Sequence, residues 1–96
     1  MTDFAEIVEQ DLSARVLRLC ELFVEEGAEA ECTFFSGILT MLSDPEDEAM
    51  ILAAVIELSR CAFLGFNYSA QAQLQIDALL ERAINLAETM SASGLH

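Results

Sequence analysis

Between Ala49 and Phe66, fourteen of eighteen residues are apolar, and only Glu57, Ser59, Arg60 and Gly65 are not. A helix at a protein surface confines its apolar residues to one stripe, so a run that is apolar nearly all round must be covered on more than one side. The rest of the chain is thereby committed to surrounding it. The longest unbroken apolar stretch, Ala49 to Ile56, covers eight residues, whereas a membrane-spanning helix needs roughly twenty. The run is expected to be a buried bundle helix and not a membrane span, with a second copy of the chain as the simplest source of the remaining cover.

A chain of 96 residues builds one hydrophobic core and not two, so a single domain over 1–96 is expected. One Pro and four Gly supply little of the turn chemistry that an all-β chain needs about every 8 to 12 residues. The expected fold class is all-α: a compact bundle of about four helices, mostly antiparallel because the connections are short, with the third helix most buried.

Apolar residues recur at Phe4, Ile7, Val8, Leu12, Val16, Leu19, Cys20, Phe23 and Val24, the three-and-four spacing of one helical stripe. A first helix over 4–26 follows, capped by Asp3 with Glu6 reaching back, carrying an Asp11–Arg15 ion pair and ended by Gly27. A second helix over 28–42 is read from Cys32, Phe35, Ile38, Leu39 and Leu42, with Gly37 marking either close packing or a kink. Ser43-Asp44-Pro45-Glu46-Asp47-Glu48 combines a cap, a first-turn Pro and a carboxylate cluster, so the third helix is placed at 45–64. Gly65 to Ser69 reads as a turn, with Ser69 capping a fourth helix over 70–90 whose stripe includes Leu74, Ile76, Leu79, Leu80, Ala83, Ile84, Leu86 and Met90. Residues 91–96 are expected to be a loose tail.

Seventeen carboxylates face four arginines and no lysine, a formal charge of −13 that repels nucleic acid and anionic membranes. Neither is expected as a direct partner. The bland meaning of such a charge is a solvated surface; a mean hydropathy of +0.41 gives no support to salt adaptation, because apolar content has not been reduced to match. No basic region followed by an apolar run opens the sequence, so the chain is expected to stay cytoplasmic. Cys20, Cys32 and Cys61 form no Cys-x-x-Cys pair and lie among apolar neighbours, so they read as buried, reduced thiols acting as small hydrophobes. The competing reading gives Cys20 beside Arg18, or Cys61 beside Arg60, a lowered pKa and a redox-sensing role.

Counted from Asp44, the sixth position of a calcium loop is Ala49 where Gly is needed and the twelfth is Val55 where Glu is needed, so the acidic cluster reads as a helix start. A dinuclear iron bundle needs inward Glu-x-x-His pairs, and the one His is His96. There is no internal His to serve a nucleophile, and neither Gly-rich phosphate-binding pattern occurs. No cofactor, no metal and no enzymatic activity are expected. Tyr68 with Phe66, Phe63 and Gln71, Gln73 and Gln75 forms a local cluster suited either to recognition or to plugging one end of a bundle.

The expected function is a protein-interaction module: a small helical regulator, adaptor or subunit, homodimeric, docking a protein partner through an apolar surface framed by carboxylates. The alternative is an acidic inhibitor or immunity-type protein that blocks a basic nucleic-acid-binding partner by charge complementarity. Nine of the seventeen carboxylates lie in residues 1–31. The candidate partner-binding residues are Glu21, Glu25, Glu26, Glu29, Glu31, Phe66 and Tyr68, with Glu6 and Glu9 added under the inhibitor reading.

Overall fold

The computed structural model describes residues 4–92. Helix α1 (Phe4–Val8) runs through a π-helical turn (Glu9–Ser13) into α2 (Ala14–Glu26); α3 (Glu29–Met41), α4 (Glu48–Ser59), a 3-10 turn (Cys61–Phe63) and α5 (Ala70–Ala92) follow. Among the described residues there is no strand. The fold is a small all-α bundle. Each helix packs on the next, and α5 closes the ring against α2 and the π turn. Ser69, just before α5, bonds Glu26 at the end of α2, while Arg82 farther along α5 pairs with Asp11. The two helices therefore run antiparallel.

The core follows from the periodicities. Val8, Leu12, Val16, Leu19 and Phe23 line the long first rod; Phe35, Ile38 and Leu42 come from the α3 side; Ile51, Ala54, Val55 and Leu58 from α4; and Ala72, Ile76, Leu79, Ala83 and Leu86 from α5. Gly27 takes φ 71° at the end of α2, where its N–H turns back to the Phe23 and Val24 carbonyls, as a left-handed C-terminal glycine should. Ser69 Oγ accepts from the Ala72 N–H at 3.1 Å, so the expected cap of the last helix is in place.

Several expectations are corrected. The first helix is not α throughout: the π turn widens the coil between residues 9 and 13, so side chains four apart no longer stack. Asp11 accordingly pairs with Arg82 of α5 at 3.8 Å and not with Arg15. The third helix starts at Glu48 and not at residue 45. Asp44 Oδ1 accepts from the Glu46 N–H at 3.0 Å, folding the Pro45 segment into a turn, and Asp47 caps the helix by accepting from the Met50 N–H at 3.1 Å. Asp and Pro serve such a turn as well as a helix start, and local side-chain bonding decides between them. At its other end the helix stops at Ser59 and tightens into the 3-10 turn.

The third helix is also not the most buried. It covers Ile51, Ala54, Val55 and Leu58 but leaves Met50, Leu52 and Ile56 exposed. In α5, Leu74 and Ile84 lie on the solvent side, 72% and 56% exposed, because the face set by Ala72, Ile76, Leu79 and Ala83 turns them outward. Gly37 sits within an unbroken α3, and a Cβ there would meet nothing within 4 Å, so it marks neither close packing nor a break. Helix α5 continues to Ala92. The Asp3 cap and the remainder of the expected tail lie outside the described residues.

Candidate functional site

The candidate residues distribute over two neighbouring places. Glu21, Glu25 and Glu26 come from the last turns of α2, Glu29 and Glu31 from the first turn of α3, and the short Gly27-Ala28 link makes these ends adjacent. Glu21, Glu25, Glu26 and Glu29 are exposed, and Glu31 is half-buried. The carboxylate of Glu26 accepts from Ser69 Oγ at 2.6 Å, which ties it into the α5 cap and removes it from the set free to meet a partner. The other acidic side chains of this corner have no arginine partner among the described residues, where the ion pairs are Glu57–Arg60 and Asp11–Arg82.

Phe66 and Tyr68 belong to an aromatic cluster that seals this end of the bundle. Tyr68 packs with ring centroids 6.1 Å from Phe23, 6.4 Å from Phe35 and 6.0 Å from Phe66, and Phe66 in turn meets Phe34 edge-on at 6.1 Å. The Tyr68 hydroxyl donates to the Cys61 carbonyl at 2.9 Å, holding the 3-10 turn against the start of α5. Burial pushes the Tyr68 phenol up to about 12, with Cys61 and the Glu31 carboxylate adding to the rise. Tyr68 therefore acts first as a structural plug, one of the two roles expected for it. Phe63 does not join the cluster as expected: it is 85% exposed on the outer side of the 3-10 turn. Its place is taken by Phe23, Phe34 and Phe35, partners that lie more than thirty positions away in sequence and carry no local signal. Of the glutamines, Gln73 donates to Asp77 at 2.9 Å along its own helix, and Gln75 faces Arg15 and Arg18 around a hollow of about 230 Å³.

A larger groove of about 620 Å³ opens between α2 and α3, lined by Phe23, Val24, Glu29, Cys32, Thr33 and Ser36 among others. Cys20 and Cys61 are buried as expected, but Cys32 is only half-buried and reaches this groove. Burial raises the thiol pKa of both Cys20 and Cys61. The reading of Cys20 or Cys61 as a thiol acidified by Arg18 or Arg60 is thereby overturned. Arginine lies on the solvent side in both cases, and Arg60 is engaged by Glu57 at 3.0 Å.

The side of the apolar segment that was expected to need cover from a second copy is the outer face of α4. Ala49, Leu52, Ala53 and Ile56 follow the i, i+3, i+4, i+7 spacing of a helical stripe opposite the core positions, and Ile56 is 56% exposed. Phe63 and Leu64 extend the apolar surface past the helix end. The all-round apolar character of the segment was its signal: the bundle covers Ile51, Ala54, Val55 and Leu58 and leaves the outer face uncovered. No protein-family model matches this chain, and no curated protein or solved structure matches it.

Proposed function

We propose that the chain is a protein-interaction module, a small non-enzymatic helical regulator, adaptor or subunit, that docks a second copy of itself through the outer face of α4. The observation that carries this reading is the outer stripe of α4, with Ala49, Leu52 and Ile56 exposed and Ala53 half-buried, extended by Phe63 and Leu64. Apolar side chains at this spacing gain roughly 25 cal/mol per Å² when another surface removes them from water. A second copy suits the stripe electrostatically. On a chain of charge −13, the stripe itself holds no charged residue; of the carboxylates beside it Glu57 is compensated by Arg60 at 3.0 Å, while the exposed Glu48 next to Ala49 has no ion-pair partner among the described residues. A two-fold axis brings the same uncharged stripe of both copies together.

Sedimentation equilibrium of the parent and of the double variant Leu52→Glu/Ile56→Glu tests this. The expected result is a parent mass twice that of the 10.5 kDa chain and a folded, monomeric variant. A parent that stays monomeric throughout the accessible concentration range overturns self-docking.

A second reading, an acidic inhibitor of a basic nucleic-acid-binding partner, is favoured by the exposed Glu21, Glu25 and Glu29 at the α2–α3 corner, which have no arginine partner among the described residues. Its signature is capture of basic proteins that is lost as salt rises and lost on Glu25→Gln/Glu29→Gln, because exposed charges are screened within about 10 Å at 0.1 M salt. Capture that survives in salt and in that variant counts against it.

A further inference from the structure

Two of the three thiols face each other across the α2–α3 hairpin. Cys20 Sγ lies 3.8 Å from Ser36 Oγ, Cys32 Sγ lies 4.0 Å from the same hydroxyl, and Cys32 Sγ also approaches the Cys20 carbonyl oxygen at 3.8 Å. The two thiols thus share the Ser36 hydroxyl as a common neighbour. Sequence spacing gave no hint of the pair, since twelve positions separate the two residues and only the hairpin turn at Gly27 brings them together. Cys61 lies apart, beneath the Tyr68 hydroxyl.

We propose that Cys20 and Cys32 are a redox-reversible dithiol that closes to an intrachain disulfide by exchange with an uncharged low-molecular-weight disulfide. The inference is independent of the docking role of α4. Cys32 is the entry thiol, because it lines the groove of about 620 Å³ that opens to solvent, while Cys20 is buried behind it. Its thiolate attacks one sulfur of the small disulfide; that S–S bond breaks, and the first small thiolate leaves and takes up the proton released by Cys32. Cys20 then loses its proton to the second leaving thiolate as its sulfur attacks Cys32 Sγ, forming the Cys20–Cys32 bond. In sum, two protein thiols are oxidised and one small disulfide is reduced to two thiols.

The groove also selects the reagent. Glu29 stands on its rim in a chain of charge −13, so anionic disulfides are repelled and neutral ones are admitted. Closure staples α2 to α3 across their turn and fixes the groove walls relative to each other. A cross-link of this kind restricts the unfolded chain, so the oxidised form melts at a higher temperature.

The test treats the folded chain with hydroxyethyl disulfide, then denatures it, alkylates the remaining thiols and maps the products. Arg18 and Arg60 bracket both cysteines in one tryptic peptide, so cleavage after glutamate, which cuts between them at Glu21, Glu25, Glu26, Glu29 or Glu31, is used. The expected result is a Cys20-peptide joined to a Cys32-peptide, Cys61 alkylated, a raised melting temperature and full reversal by a reductant. Cys61→Ser should behave like the parent, and Cys32→Ser should leave Cys20 alkylated. Three alkylated thiols, pairing through Cys61, mixed disulfides that never close, or links only between chains would each overturn the proposal.

Discussion

Removing the single hydroxyl of Tyr68 isolates one contact at the sealed end of the bundle. In Tyr68→Phe the ring keeps its packing on Phe23, Phe35 and Phe66, while the Cys61 carbonyl loses the donor that stood at 2.9 Å. A hydrogen bond of this kind contributes about 1 kcal/mol net, and a part-buried acceptor left unpaired adds to the loss, so a destabilisation of about 1–2 kcal/mol is expected. In a domain of this size each kcal/mol moves the melting temperature by roughly 4–8 °C.

The effect must also depend on pH in a defined sense. Burial raises the Tyr68 phenol from 10.0 to about 12 in the folded chain, so the native state holds its proton more tightly than the unfolded state. The associated stability is fully present below the unfolded value near 10 and is lost as pH rises to about 12. Phe cannot ionise, so the gap between parent and Tyr68→Phe should narrow through that interval. Urea unfolding followed by far-ultraviolet circular dichroism measures the gap. Tyr68 is the one tyrosine and tryptophan is absent, so alkaline absorbance titration reports this phenol alone. A variant as stable as the parent at neutral pH, or a gap constant across the alkaline range, would refute the reasoning.

Other perturbations probe separate links in the argument. Phe23→Ala removes a fully buried ring from the aromatic cluster and the core, and should cost about 3–5 kcal/mol in chemical denaturation, with the larger values if the cavity does not collapse. Ser69→Ala removes both the cap of α5 and its bond to Glu26, and a loss of about 1–2 kcal/mol is expected in the same assay. Gly27→Ala places a Cβ at φ 71° with no steric obstacle within 4 Å, so only backbone strain acts and the melting point should fall by the equivalent of about 1 kcal/mol. Gly37→Ala, in open space inside an ordinary helix, should instead raise stability by about 0.5–1 kcal/mol, and a destabilised variant would refute the reading of Gly37 as an unconstrained helix position.

Local chemistry carried most of the helical architecture. The apolar spacings in 4–26 and 28–42 and the runs ended by Gly27 and begun by Ser69 place helices to within a residue of where the structure has them, the π turn at 9–13 apart, because periodicity, capping and left-handed glycine act over a few residues and need no distant partner. The start of α4 was less legible: Asp44, Pro45 and Asp47 serve a turn and a helix cap equally well, and the choice rests on which backbone N–H each carboxylate receives.

Tertiary structure decided the rest. Whether Leu52 and Ile56 are core or surface depends on how much chain remains to cover α4, and the rest of the bundle covers one face of it. The phenylalanine rings of the core that Tyr68 meets, the carboxylate that Arg82 meets and the hydroxyl that Cys20 meets all come from other helices. Sequence fixes which residues share a face of one helix. Only packing sets which faces meet, because that outcome sums over the whole bundle and leaves no trace at any single position.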